Sequence, residues 1–169
     1  AAHEWSVRRI ARHAIGRVGH ADANDKILIQ QALQGSEYGL DIVDDLNGEH
    51  HSVIVKRKLM MRAGETERAI VEPQPELAAL GARVARALKP RGLMDADAFM
   101  TPQGPRILEL NPRFGGGYPF SHAAGANVPA ALLAWARGER AKPEWLTARA
   151  GMLSGKCDRL VTIDASRQC

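Results

Sequence analysis

Two short alternating runs carry the side chains whose types and spacing suggest chemistry. Asp95 and Asp97 alternate with Met94, Ala96, Ala98 and Met100, while Glu109 and Asn111 alternate with Leu108 and Leu110. Successive side chains of a β-strand point to opposite faces, so each run gathers its polar pair on one face. A short reversal centred near Gln103 sets Asp97 across from Glu109, with the two Cβ atoms roughly 5 Å apart. Like charges opposed in this way destabilise a sheet, so a bound cation or a lysine is expected between them. Asp97, Glu109 and Asn111 together offer hard oxygen ligands that suit Mg²⁺, with Mn²⁺ as the alternative. Such an ion takes few protein ligands and completes its shell from phosphate oxygens and water.

Alternating acids alone also fit the polar side of a half-exposed hairpin. The continuation Asn111-Pro112-Arg113-Phe114-Gly115-Gly116-Gly117 points further. It puts a guanidinium, whose fork matches phosphate oxygens, and a glycine run, whose backbone N–H groups can approach an anion, beside the acids. The run matches neither the G-x-x-x-x-G-K-[ST] phosphate loop nor the dinucleotide G-x-G-x-x-G pattern, which excludes those two nucleotide folds.

The elements that must position these residues read as follows. Trp5, Ile10, Ala14 and Ile15 predict a short helix from Glu4 to about Gly16. Ile27-Leu28-Ile29 reads as a strand, Gln34-Gly35-Ser36 as a turn, and Tyr38 to Val43 as a second strand. Asn47-Gly48, which tolerates positive φ at both positions, predicts a hairpin to Val53-Ile54-Val55. Leu77, Leu80, Val84 and Leu88 share one face of a helix from Pro75, stopped by Lys89-Pro90-Arg91-Gly92. Leu93 to Met100 and Arg106 to Leu110 form the hairpin that carries the acids, Ala123 to Arg137 looks helical, and Met152 to Ile163 offers a last strand. Short hairpin links favour antiparallel neighbours, so the expected class is α+β: a mainly antiparallel sheet with helices packed on one face.

Composition narrows the function classes. A chain of 169 residues, 45% hydrophobic and 25% charged, is long enough for a compact domain with a real core and is not of disordered composition. No apolar run approaches the ~20 residues of a membrane helix, and the N-terminus lacks a secretory signal pattern. Cys157 and Cys169 are the only cysteines and read as ordinary thiols, which suits a reducing cytoplasm. The net charge of +4 and the cluster Arg8, Arg9, Arg12 and Arg17 raise nucleic acid as a partner. Aromatics are 5% of the chain and do not interleave with a Lys/Arg stripe beyond Trp5, so a solvated basic helix is the better reading.

Ile107-Leu108-Glu109-Leu110-Asn111-Pro112-Arg113 resembles the E-x-N-P-R strand of the ATP-grasp superfamily, most closely relatives of the carbamoyl phosphate synthetase large chain. The likeness continues through Phe114 to His122 and Ala123 to Pro129, and upstream Ile27 to Tyr38 resembles the superfamily's hinge strand. The resemblance implies that Gln30, Gln31 and the backbone near Leu33 face adenine and that Glu37 holds the ribose. It assigns Asp97, Glu109 and Asn111 to magnesium and Arg113 to the phosphates or an acyl-phosphate. Arg62-Ala63-Gly64-Glu65-Thr66 resembles a mobile substrate-side loop, with Arg62 as a second catalytic arginine, and Lys58 or Lys56 on the preceding strand reaches a phosphate.

The implied activity is ATP- and Mg²⁺-dependent joining of a small carboxylate to an amine through an acyl-phosphate. Residues 1–26 are expected to be a helix and linker left from a preceding lobe, and 27–169 the C-terminal lobe of the ATP-grasp domain. Nothing before residue 27 resembles the small lobe with its phosphate-covering glycine loop. The chain is therefore expected to be a piece of a longer ligase, to be completed by a partner chain such as a second copy of itself, or to be a non-catalytic nucleotide-binding or subunit-interaction module derived from such a ligase.

Overall fold

A computed structural model describes residues 30–159. The chain divides into two compact units, Ala1–Ala32 and Leu33–Cys169. Of the first, only residues 30–32 are described, and they are exposed and outside regular structure. The helix expected from Glu4 and the strand expected at Ile27-Leu28-Ile29 lie outside the described residues.

The second unit is built on a sheet of six strands: β1 (Ser36–Asp44), β2 (His50–Arg62), β3 (Glu65–Val71), β4 (Leu93–Thr101), β5 (Gly104–Asn111) and β6 (Leu153–Gly155). Their order is β5-β4-β1-β2-β3-β6, and every pairing is antiparallel. β1 to β3 form a meander. The chain then crosses through helix α1 (Pro75–Leu88) and returns as the β4–β5 hairpin on the far side of β1. Two shorter helices follow, α2 (Tyr118–Ala123) and α3 (Val128–Ala136), then a 3-10 turn at Pro143–Leu146. The expected α+β class and antiparallel sheet are present.

Alternation along the strands separates two faces. Tyr38, Leu40, Ile42, Val55, Met94, Ala96 and Ala98 form one core with Leu77 and Ala85 of α1. α1 starts with Pro75 in its first turn and stops where Lys89 adopts a left-handed conformation (φ 46°) ahead of Pro90. Its buried stripe is Leu77, Gly81 and Ala85. Leu88, expected on that face, is its last residue and is 58% exposed. On the opposite face Val43 and Leu93 pack with Tyr118 and Val128, joined by Leu132, Trp135 and Leu146. Among the described residues α1 is therefore the helix that covers the apolar face. The other two helices close one end of the polar face, because Val43 and Leu93 continue the polar rows with apolar side chains.

Three connections differ from expectation. The β1–β2 hairpin closes through a longer turn in which Asp45 Oδ1 accepts from Asn47 N (2.8 Å) and Glu49 N (2.9 Å). Only Gly48 of the expected Asn-Gly pair has positive φ, at 81°. Arg62 to Thr66 is a tight hairpin turn with Ala63 at φ 50° and Gly64 at φ 83°, where a mobile loop was expected. Positive φ at both central residues matches the twist of the flanking strands and lets them pair up to the turn. The run Ala123 to Arg137 is broken by Gly125 (φ 110°), after which Asn127 caps α3 by accepting from Ala130 N at 3.2 Å. The strand expected over Met152 to Ile163 is short, Leu153–Gly155, and its expected end lies outside the described residues. Among those residues no helix is long and apolar enough to cross a membrane, and Cys157 is a free, exposed thiol.

Candidate functional site

The polar face of β1, β2, β4 and β5 opens into a cleft of about 310 Å³. Its walls include Lys56 and Lys58 of β2, Asp95 and Asp97 of β4, Glu109 and Asn111 of β5, Arg113, Gly116 and Gly117 of the following loop, and Gly64 to Thr66 at the β2–β3 turn. The β4–β5 register pairs Asp97 with Glu109 and Asp95 with Asn111. That pairing depends on a bulge. Near the turn Thr101 faces Gly104 and Ala98 faces Ile107, yet the next partner of Asp97 is Glu109, so Leu108 is inserted. Without the extra residue, Glu109 and Asn111 would turn to the opposite face.

A lysine, Lys58, reaches one of the two facing acids, Asp97, but its second carboxylate is Glu37 rather than Glu109. Its ammonium lies 2.7 Å from Glu37 Oε1 and 2.8 Å from Asp97 Oδ1, with the side chain 8% exposed. Burial works against the charge, but the Asp97 and Glu37 carboxylates outweigh it and hold the lysine above its ordinary pKa. The stems of both lysines pass over Gly39, where a Cβ would stand in ordinary contact at 3.5 Å from Lys56 Cε and 3.8 Å from Lys58 Cε. On β5, Asn111 Nδ2 donates to Glu109 Oε1 at 2.5 Å.

Asp95 stands directly opposite Asp41 of β1. Burial first, then the neighbouring charges of Asp97 and Asp41, push its carboxyl up to about 6. The glycine loop is packed onto this group, since a Cβ on Gly115 would fall 2.2 Å from Asp95 Cγ, so no other residue fits there without displacing the carboxylate. Tyr118, where α2 begins, is pushed up to about 12, chiefly by burial, and its hydroxyl accepts from Val128 N at 2.9 Å.

The residues singled out from the sequence are thus placed in different ways. Lys58, Asp97, Glu109, Asn111 and Arg113 share the cleft, and Glu37 joins them through Lys58. Arg62 is exposed and engaged elsewhere, with Glu67 Oε2 at 3.1 Å and both carboxylate oxygens of Asp158 at 3.1 Å. Leu33 is half-buried ahead of β1, while Gln30 and Gln31 are exposed and belong to the first unit. Sequence reasoning missed Asp41 and the burial of Lys56. The available signal for Asp41 was a lone acid inside the run Tyr38 to Val43, whereas Lys56, first of the three consecutive cations Lys56-Arg57-Lys58, carried no local sign of burial.

Among the described residues no three His, Cys, Asp or Glu side chains form a ready metal cage. Two carboxylates and an amide lining one cleft still fit an ion such as Mg²⁺, which relies on few protein ligands. The arrangement as a whole, with acids, lysines, a guanidinium and a glycine loop on one open face, can hold an anionic chain together with a hard cation.

Known proteins bear on what such a cleft serves. Residues 23–154 match the model of the family described as ATP-grasp in the biosynthetic pathway with Ter operon. No curated protein matches the chain by sequence. Among solved structures, the chain is similar to the biotin carboxylase domain of the 2-oxoglutarate carboxylase of Hydrogenobacter thermophilus, a complex with MgADP, ADP and bicarbonate (TM-score 0.51, 18% identity, 67% of this chain and 27% of that one). It is similar also to a biotin carboxylase from Campylobacter jejuni in complex with β-γ-ATP (TM-score 0.54, 14% identity, 70% and 29%). A third likeness is to N5-carboxyaminoimidazole ribonucleotide synthetase in its ADP complex (TM-score 0.52, 18% identity, 72% and 33%). At these identities the likeness is one of fold. The chain spans a third or less of the length of these three.

Proposed function

Because the chain belongs to the ATP-grasp family, we propose that it is the nucleotide- and metal-binding portion of a ligase that uses ATP and Mg²⁺ to join a small carboxylate to an amine. The observation that carries this reading is the β4–β5 register, which brings Asp97, Glu109 and Asn111 to the cleft that also holds Lys58 and Arg113. The solved relatives bound to ADP, MgADP or β-γ-ATP support the choice of ligand.

In the proposed reaction a carboxylate oxygen attacks the γ-phosphorus of ATP and ADP leaves. The amine then attacks the acyl carbon of the resulting acyl-phosphate, and inorganic phosphate departs. This chemistry needs neutralisation of charge on the transferring phosphoryl group more than it needs acid–base groups. Asp97, Glu109 and Asn111 would hold Mg²⁺, which supplies positive charge to the polyphosphate. Arg113 offers its fork to phosphoryl oxygens, and Lys58, positioned by Glu37 and Asp97, adds a second cation. The roles assigned by resemblance, Gln30, Gln31 and Leu33 toward adenine, Glu37 toward ribose and Arg62 on the substrate side, complete the proposal.

The test is substrate-dependent ATP turnover in the protein as its gene encodes it. Glu109→Gln and Asn111→Ala are each expected to lower turnover by about 100-fold or more, with melting curves close to wild type because Glu109 is exposed and Asn111 half-buried. Undiminished turnover in both variants defeats the assignment. Calorimetric binding of Mg²⁺-ATP without turnover on any carboxylate–amine pair favours a non-catalytic nucleotide-binding module.

A further inference from the structure

Asp41, Lys56 and Ser121 are 0%, 2% and 0% exposed, and the proposed reaction assigns no role to Asp41 or Ser121. Asp41 Oδ2 accepts from both Lys56 Nζ and Ser121 Oγ, which joins β1 and β2 to α2 across eighty positions of sequence, while Asp41 Oδ1 is buried with no partner among the described residues. The Lys56 stem runs under the glycine loop, since a Cβ on Gly117 would stand 3.7 Å from its Cε. One strand away Asp95, opposite Asp41, receives Gly115 at a distance that leaves no room for a side chain. Asp41 therefore bonds one end of the segment 115–121, and Asp95 packs closely against the other.

A buried ion pair gains little net stability over an apolar pair of the same size. What it supplies is a single geometry, because a carboxylate oxygen shared by an ammonium and a hydroxyl is satisfied in only one arrangement. We propose that Asp41 is a positioning residue that, through Lys56 and Ser121, clamps the glycine loop and α2 at a fixed height over the carboxylates of the cleft. The clamp itself stands on the fold, while its consequence for nucleotide binding rests on the ligase reading above.

Amide hydrogen exchange over residues 115–121 tests it in the protein as encoded, at a temperature where melting curves show each variant fully folded. Ser121→Ala is expected to speed exchange across this segment about 10-fold or more, the effect of one hydrogen bond to a charged group. Asp41→Asn should act at least as strongly, and the double variant no more strongly than the larger single. Amides of the β2–β3 hairpin should keep their wild-type exchange. Calorimetric affinity for Mg²⁺-ATP should fall in the same order.

Unchanged exchange at 115–121, or equal acceleration in the β2–β3 hairpin, overturns the clamp. A faster loop with unchanged Mg²⁺-ATP affinity overturns the positioning role and leaves a brace. Should Asp41→Asn fail to fold, Ser121→Ala decides alone. Should the wild type bind no Mg²⁺-ATP, the nucleotide reading fails while the exchange comparison still decides the clamp.

Discussion

On one face of β1, β2 and β4, Leu40, Ile42, Val55, Ala96 and Ala98 pack against α1, and on the alternate positions of the same strands stand Asp41, Lys56, Lys58, Asp95 and Asp97. The two faces use the same backbone hydrogen bonds and differ only in what alternate side chains do. On the apolar face stability comes from burial and close packing, and any residue of similar shape would serve. On the polar face the charges are paired to a degree that stability does not require, with Lys58 between two carboxylates and Lys56 on a third. A sheet can thus carry a site on one side because its core has been concentrated on the other.

The comparison breaks first at Lys56, a polar-face residue buried as deeply as the core. Lys56→Ala leaves the Asp41 carboxylate buried without its counter-ion, an expected loss of about 3–5 kcal/mol, or roughly 10 °C in Tm by differential scanning calorimetry. The double variant Asp41→Leu/Lys56→Met should recover most of that loss, and failure to recover any would show that the pair itself is a net source of stability.

Leu40→Ala comes next, at about 2–5 kcal/mol in denaturant unfolding for a fully buried leucine. The folded fraction should keep wild-type Mg²⁺-ATP affinity. A matching loss of affinity would mean that the two faces are not separable.

A smaller effect attends Asp95. Its carboxyl lies above the ordinary value of 3.8, at about 6, so the folded chain binds more protons than the unfolded one between those values. Stability contributed by the neutral form is present below about pH 4 and is lost as pH rises to 6. Asp95→Asn should remove this decline and stabilise the protein at pH 7 to 8 by on the order of 1 kcal/mol after allowance for solvent screening. Parallel pH–Tm curves for the two proteins would rule out this origin.

Smallest is Arg62→Ala. Its pairs with Glu67 and Asp158 are exposed at the arginine, and no measurable change in Tm is expected.

Much of the fold was legible from periodicity. The α1 segment, the β4–β5 hairpin and the alternation of Asp95 and Asp97 follow from residues within a few positions of one another, and the α+β class follows from their order. Legibility failed where a distant partner decides the outcome. The turn after β1 is set by the Asp45 side chain rather than by Asn47-Gly48 alone, and the helical run after Ala123 is divided at Gly125 and Asn127. Asp41 read as an ordinary strand position until Lys56 and Ser121 met it.

By itself the sequence determined which residues share a face of each strand, because the period of two is a property of the extended backbone. Only the tertiary structure decided which faces meet. The order β5-β4-β1-β2-β3-β6 brings Lys58 to Glu37 and Asp97, and the pairing of Asp97 with Glu109, expected from a reversal centred near Gln103, is reached instead by a turn between Thr101 and Gly104 and the insertion of Leu108. A one-residue slip reverses every side chain of a strand. Its occurrence depends on pairings between distant segments, which no local pattern encodes.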